Sequence, residues 1–303
     1  MRYNGRVTPP RPHVPDGTDG VDDDPERIFG PLPPGNLLSE LAVVALRAGS
    51  AAAALLADAV GRPREEVELK SSATDMVSEV DRGAEALITG ILQAARPDDG
   101  LLGEEGASKA GTSGVRWVID PLDGTTNFLF GVPQYAVSIA AEIAGDPVVG
   151  VVIDPSRGET WAARQGGGAR CNGVPCRVAD GRSTLDTALV STGFGYRRDR
   201  RAWQAQVAAR LIPAVRDLRR FGSAALDLCW VAGARVDAYY EWGLNPWDLS
   251  AGRVICTEAG GVVDILAGHT IVATTPALVQ PLKDLLLSLG ADQPPAGEEP
   301  RHW

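Results

Sequence analysis

The residues best suited to chemistry lie between Trp117 and Phe128, in the run WVIDPLDGTTNF. Asp120 and Asp123 stand three positions apart across a turn that Pro121 stiffens and Gly124 loosens, so both carboxylates can face one small volume. Two carboxylates that close resist sharing negative charge, and a hard divalent cation with oxygen ligands is the usual compensation. The backbone N–H groups of Gly124, Thr125 and Thr126, at the start of the following turn or helix, are suited to hold an anion such as phosphate. Metal and phosphate in one loop point to phosphate-ester chemistry. Taken alone, the same Asp-Pro-x-Asp-Gly run reads equally well as a plain connecting turn, and the rest of the chain has to decide.

Other elements must carry partners to this loop. Val115, Trp117, Val118 and Ile119 predict a buried strand that ends abruptly at Asp120-Pro121, because proline cannot donate to a sheet ladder. Leu101-Leu102 predicts a short strand running into Gly103-Glu104-Glu105-Gly106, where an isolated glutamate pair is by default solvent-facing. KSSATDMVSEVD brings Lys70, Asp75 and Asp81 to the approach of a helix spanning about Arg82 to Ala95. A longer, alanine-rich helix from about Leu37 to Val60, capped by Asn36 or Ser39, precedes it. In NPWDLSAG, Pro246 suits a first helical turn and Asp248 lies within that turn, where the helix dipole favours a carboxylate. Capping alone would explain that aspartate. Beyond Phe128, the runs Gln134 to Ile143, Pro147 to Ile153 and Glu159 to Ala163 predict antiparallel strands, with Gly145-Asp146 as a hairpin turn. From Asp186 strands and helices alternate, which predicts an α/β half. The expected organisation is a disordered Pro/Asp-rich tail at 1–35, an N-terminal α+β half at 36–184 with most candidate ligands, a C-terminal α/β half at 185–290 and a mobile tail at 291–303.

With 303 residues the chain can bury a sizeable core, and its net charge of -10 argues against generic nucleic-acid or anionic-membrane binding. Four cysteines without a CxxC pair, and three histidines lying mostly in the tails, argue against zinc and for reduced thiols in the cytoplasm. No apolar run reaches the length of a bilayer span, so a soluble protein without membrane contact is expected. CNGVPCR, Cys171 to Arg177, formally matches the Cys-x5-Arg loop of thiol phosphatases, but Pro175 removes a phosphate donor and no helix-forming segment follows. VIDPLDGT is similar to the haloacid dehalogenase signature, yet its carboxylates are three residues apart rather than two, which suits shared metal coordination. A Ser-His-Asp triad would rest on His269 alone, with no nucleophile elbow.

Taken together, KSSATDMVSEVD, LLGEEG, WVIDPLDGTTNF, RRFGSAALD and YYEWGLNPWDLSAG followed by EAGG resemble, in that order, the inositol monophosphatase family. The resemblance runs from about Leu37 to Leu289. It is closest to the bacterial branch called the extragenic suppressor or SuhB type, particularly its actinobacterial members, through TGFGY and DAYYEWGLNPWD. It implies a layered αβαβα fold of the fructose-bisphosphatase-like kind. It also implies a cytoplasmic homodimer that is lithium-sensitive and hydrolyses myo-inositol-1-phosphate with Mg²⁺-activated water. Carried over, Glu104, Asp120 and the backbone carbonyl of Leu122 hold a first Mg²⁺. Asp120, Asp123 and Asp248 hold a second, and Glu104 helps a weaker third. Thr125 and Asp81 form a hydrogen-bonded pair that orients the attacking water together with Glu104. Gly124 and Thr125 hold the phosphate, while Lys70, Asp75 and Glu105 support the ligands from behind. Glu241 accepts inositol hydroxyls, and Gly193, Phe194 and Ala224 line the pocket. The chain departs from the animal enzymes around Ser191 to Tyr196, which keeps open fructose-1,6-bisphosphatase, histidinol-phosphatase or 3′-phosphoadenosine-5′-phosphate phosphatase activity. It also keeps open a non-catalytic role as an RNA polymerase antitermination partner. Arg197, Arg198, Arg200 and Arg201 read as a solvated helix start.

Overall fold

The computed structural model describes residues 23–59, 67–69, 76–181, 184–266 and 269–295. Val115–Asp123 is buried along its whole length except at Arg116, and a strand so apolar must have protein on both faces. The strands of the described residues form three sheets. β1 (Val67–Leu69) pairs antiparallel with β2 (Met76–Ser78). The second sheet contains β3 (Gly100–Gly103), β4 (Ser108–Lys109), β5 (Val115–Asp123), β6 (Ala136–Ile143), β7 (Asp146–Asp154), β8 (Glu159–Arg164), β9 (Ala169–Cys171) and β10 (Val174–Pro175), in the order β10-β9-β8-β7-β6-β5-β3-β4. The third contains β11 (Leu189–Thr192), β12 (Asp217–Arg219), β13 (Ala238–Trp242), β14 (Val262–Ile265) and β15 (Thr270–Thr274), in the order β12-β11-β13-β15-β14. The helices are α1 (Pro25–Phe29), α2 (Leu37–Ala59), α3 (Glu79–Ala95), α4 (Thr125–Phe130), α5 (Arg198–Leu211), α6 (Ala224–Ala232), α7 (Pro246–Glu258) and α8 (Val279–Ser288).

Three apolar cores bind these elements into layers. Leu41 and Leu46 of α2 and Ile88 of α3 pack on Ile119, Ile139 and Val151 of the eight-stranded sheet. On its other face Val118 and Val152 meet α6 and α7 through Leu228 and Ile255, and these helices also cover Tyr239 and Ile271 of the five-stranded sheet. Val207, Leu211, Leu282 and Leu286 of α5 and α8 close that sheet over Val190, Tyr240 and Val272. Each fully buried aliphatic side chain contributes about 1.5–3 kcal/mol. The expected αβαβα layering is the fold observed.

Several local expectations give way to tertiary context. β5 does not end at Asp120-Pro121: pairing with β6 resumes at Asp123, with a register shift between Asp120 and Asp123. Pro121 and Leu122 occupy the resulting bulge, where a missing N–H breaks no ladder bond. The β6–β7 turn is centred on Ala144-Gly145, both at positive φ, rather than on Gly145-Asp146. Within the stretch expected to be a disordered tail, Asp24 caps α1, and Ile28 and Phe29 join the core. Likewise Ala291, in the stretch expected to be mobile, is buried and its carbonyl accepts from Thr270 Oγ1 at 2.5 Å. α2 is long and apolar enough by length and composition to cross a membrane, contrary to the expectation from run length; half of its most apolar window is buried inside the protein. α3 starts at Glu79 rather than Arg82, which places Asp81 in its first turn.

The fold positions the last acidic residue through β6. Ser138, directly across from Asp120, donates to the Trp247 carbonyl at 3.2 Å, and Ser250 donates to Glu142 Oε1 at 2.9 Å. These two bonds pin the first turn of α7, and with it Asp248, beside the end of β5.

Burial of Ile28 gives a direct check on the N-terminal segment. Ile28→Ala should destabilise the protein by about 2–5 kcal/mol, read as a lower urea midpoint at constant m-value; a change near zero would mean that α1 does not belong to the folded unit.

Candidate active site

Asp120 and Asp123 end β5, one on each side of the bulge, and both are buried. Asp120 Oδ1 accepts the Leu122 N–H at 3.0 Å, an Asx-type turn that fixes its rotamer and leaves the Leu122 carbonyl on the outer side of the bend. That carbonyl accepts from Thr125 Oγ1 at 3.0 Å, and the same hydroxyl lies 3.3 Å from Asp81 Oδ2. One proton serves two acceptors here, so the longer contact is the weaker in this geometry. Gly124 precedes α4 at φ 90, which a side chain would strain, and a Cβ there would sit 2.9 Å from the Gln134 carbonyl. The first N–H groups of α4 are those that a helix leaves without an intrahelical acceptor.

Asp123 reaches out of its own sheet. Its Oδ2 accepts from Ser223 Oγ at 2.6 Å and from the Ala225 N–H at 2.8 Å, so a carboxylate on β5 holds the N-terminus of α6. Ala224, one of the expected pocket residues, sits in that first turn and is nearly buried. Asp248 Oδ2 accepts the Asn245 N–H at 2.6 Å and so caps α7. Glu104 follows β3, its N–H donating to the Ile119 carbonyl at 3.2 Å. The loop that presents it is held by Glu85 of α3, whose two oxygens accept the N–H groups of Glu105 and Ala107, both at 2.9 Å.

The electrostatics show that these side chains share a space. Asp120 is pushed well above the ordinary carboxylate range by burial first, then by Glu104, Asp123, Asp248 and Asp81. Asp248 is raised by burial and by Glu104 and Asp123. Burial lifts Asp123 to about 6, against hydrogen bonds from Ser223, Ala225 and Ala224 that pull it down. Among the described residues no three carboxylate, imidazole or thiol groups form a closed coordination cluster, and Asp123 and Asp248 each commit one oxygen to protein donors. The set nevertheless fits a hard cation. It is all oxygen, strongly desolvated and mutually repulsive, and a small divalent ion that keeps several waters needs only a few of these oxygens directly.

The neighbouring pocket is built on β13. Tyr239 donates to Glu241 Oε2 at 2.7 Å, and a Cβ on Gly193 would lie 1.8 Å from that same oxygen, so the carboxylate rests on the glycine backbone. Burial raises Glu241 to about 7. Phe194 borders a small cavity together with Gly193, Trp203, Tyr240 and Trp242. Lys70 and Asp75 lie outside the described residues. Glu105 takes part through its N–H, beside Glu104.

Four residues enter this region that sequence reasoning did not single out: Glu85, Ser223, Asp227 and Tyr239. Glu85 was findable, since it lies four residues after Asp81 on the buried stripe with Ala84 and Ile88. Asp227 is a buried carboxyl raised by desolvation, with Glu241 and Asp123 adding to the rise and Ser191 opposing it. It ends the RRFGSAALD run, whose letters alone do not tell that its carboxyl is buried. The cysteine loop behaves as an inert element: burial pushes Cys176 to about 11, far from a reactive thiolate.

Comparison with known proteins gives a consistent picture. A profile described as the inositol monophosphatase family matches residues 37–289. The protein named "Inositol-1-monophosphatase SuhB" of Mycobacterium tuberculosis is 43% identical over 238 residues, covering 71% of this chain and 79% of that protein. "Nus factor SuhB" of Escherichia coli is 40% identical over 246 residues, covering 78% of this chain and 92% of that protein. The crystal structure of the extragenic suppressor protein suhB from Bartonella henselae aligns with a TM-score of 0.76 at 37% identity, covering 80% of this chain and 96% of that one.

Burial of Glu241 has a consequence for stability. Its carboxyl titrates at 4.5 when unperturbed and at about 7 in the fold, so the unfolded chain ionises first and the fold loses this group's stabilisation as pH rises through that window. Glu241→Gln, having no proton to lose, should gain stability relative to the unsubstituted protein between pH values of about 4.5 and about 7, measured as urea midpoints in a chelator. A pH-independent difference would contradict the burial account.

Proposed function

Because the chain belongs to the inositol monophosphatase family, we propose that it is a Mg²⁺-dependent phosphomonoesterase that converts myo-inositol-1-phosphate to myo-inositol and phosphate. The observation that carries this reading is the gathering of Asp81, Glu104, Asp123 and Asp248 around the buried Asp120. Glu104, Asp120, Asp123, Asp248 and the Leu122 carbonyl would hold two Mg²⁺ ions, with Glu104 also serving a weaker third. When bound, Mg²⁺ supplies Lewis-acid stabilisation of the phosphoryl oxygens and lowers the pKa of water.

The chain's own groups supply the rest. Thr125 Oγ1, when it donates to Asp81, turns its lone pairs outward to accept a hydrogen bond from the attacking water, and with Glu104 the pair orients that water. Gly124 and Thr125 present N–H groups to the phosphate at the start of α4. Glu241, held by Tyr239 on the backbone of Gly193, accepts hydroxyl protons of the inositol ring, and the small side chain of Ala224 leaves room for that ring. A cytoplasmic location and a homodimer belong to the same proposal on family grounds.

The relative named Nus factor SuhB supports a second reading, a transcription partner. With a net charge of -10, such a role would act through protein contacts rather than through RNA.

Phosphate release from inositol-1-phosphate should require Mg²⁺ and stop on chelation. Asp123→Asn keeps a hydrogen-bond acceptor for Ser223 and loses the ligand charge, so kcat should fall at least about 100-fold while the melting temperature holds; full activity would remove Asp123 from the site. Pull-down of RNA polymerase by that same variant would identify the partner role as independent of catalysis. Lithium should inhibit turnover by taking a Mg²⁺ position, and an activity curve flat to high lithium would count against that assignment. A kinetic panel of inositol-1-phosphate, fructose-1,6-bisphosphate, histidinol phosphate and 3′-phosphoadenosine-5′-phosphate ranks the alcohol specificity.

A further inference from the structure

α5 turns Gln204, Val207, Ala208 and Leu211 inward. Positions with that spacing form one stripe of a helix, and an amide on such a stripe is costly to bury unless it is hydrogen-bonded. Gln204 finds its partner outside its own helix: Oε1 accepts the Gly195 N–H at 2.9 Å. Gly195 belongs to the connection 193–197 from β11 to α5, which begins with Gly193, the backbone on which the Glu241 carboxylate rests. A side chain of α5 thus holds a wall of the alcohol pocket.

Packing alone gives that wall little support. Against it lies a cavity of about 10 Å³, bordered by Gly193, Phe194, Gln204 and Trp242, which is about the room of one water molecule. Backbone beside unfilled volume has fewer dispersion contacts to keep it in place. α5 itself is docked on the strand that carries Glu241. Trp203 meets Trp242 edge to face with ring centroids 5.8 Å apart, and the Arg200 guanidinium carbon stands 4.6 Å from the centroid of the same indole. Trp242 directly follows Glu241 on β13, and the Arg200 stem also covers Gly195, where a Cβ would overlap its Cδ. The helix therefore reaches the pocket by two routes, through the residue after the carboxylate and through the backbone the carboxylate leans on.

We propose that Gln204 is a positioning residue for alcohol recognition: by holding Gly195 it keeps the Gly193 backbone against Glu241, and so sets how well the site distinguishes a polyol phosphate from a phosphate ester without further hydroxyls. This rests on the phosphatase reading, in which Glu241 accepts hydroxyl protons of the alcohol half. Without the Gln204 acceptor the connection is freer to move, and Glu241 loses the backing that complements its bond from Tyr239. The phosphate turn opens α4, outside this contact, so the effect falls on the alcohol.

The test compares myo-inositol-1-phosphate with p-nitrophenyl phosphate, whose leaving group carries no second hydroxyl, in the full-length protein with Mg²⁺. Beside the unsubstituted chain it uses Gln204→Met, which keeps the length and loses the acceptor, and Gln204→Asn, which keeps the amide and stops a methylene short of the N–H. KM for inositol-1-phosphate should rise about 5- to 10-fold in both variants while kcat moves less than about twofold. The constants for p-nitrophenyl phosphate should hold. Circular dichroism reports whether each variant is folded, and if Gln204→Met is not, Gln204→Asn decides alone. Unchanged discrimination between the two esters overturns the proposal, whether neither is affected or both lose activity by one factor, the mark of a merely structural residue. Failure of the phosphatase reading shows earlier, in the unsubstituted protein: it then hydrolyses neither ester, or spares inositol-1-phosphate, and the role of Gln204 falls with it.

Discussion

Mutual repulsion among buried carboxylates is the constraint around which the protein is built. Asp120 is surrounded by Glu104, Asp123, Asp248 and Asp81, and each of them makes its ionisation harder. Folding such a group has to be driven by something other than the group itself. The three apolar cores provide the driving force, and a small number of directed hydrogen bonds hold the acids in place against it. A bound positive charge would relieve at once the repulsion and the desolvation that raise these carboxyl groups.

The directed bonds also decide how the layers meet. Asp123 belongs to the eight-stranded sheet but holds the N-terminus of α6, which lies between the sheets. Ser138 and Glu142 of β6 hold the first turn of α7. Glu85 of α3 holds the loop that presents Glu104. Three acidic residues thus come from three separate elements, each anchored to an element outside its own layer or strand. A site of this kind is stiff because displacing one carboxylate disturbs a helix terminus or a loop as well.

Much of this was legible in the linear chain. The apolar run before Asp120 announced a buried strand, Pro246 announced a helix start, and the alternation after Asp186 announced the second sheet. Expectations failed where neighbours outvoted local chemistry. Pro121 reads as a strand terminator, yet β6 continues to pair beyond it because a bulge takes up the residues that cannot join the ladder. Ile28 and Phe29 sit in a stretch whose composition reads as disorder, yet an apolar surface stood ready to receive them.

What the chain determined by itself is the inventory: the acids, the glycines that let backbone come close, the caps, and the periodicities that sort strands from helices. Those are local properties, set by side-chain type and by the neighbours a few bonds away. Which carboxylates share one desolvated space, and that Glu241 leans on Gly193, were decided only by the packing of the layers. Electrostatic interaction and burial depend on distance through space, and separations of a hundred residues along the chain, as between Asp123 and Ser223, carry no information about it until the sheets and helices have been assembled.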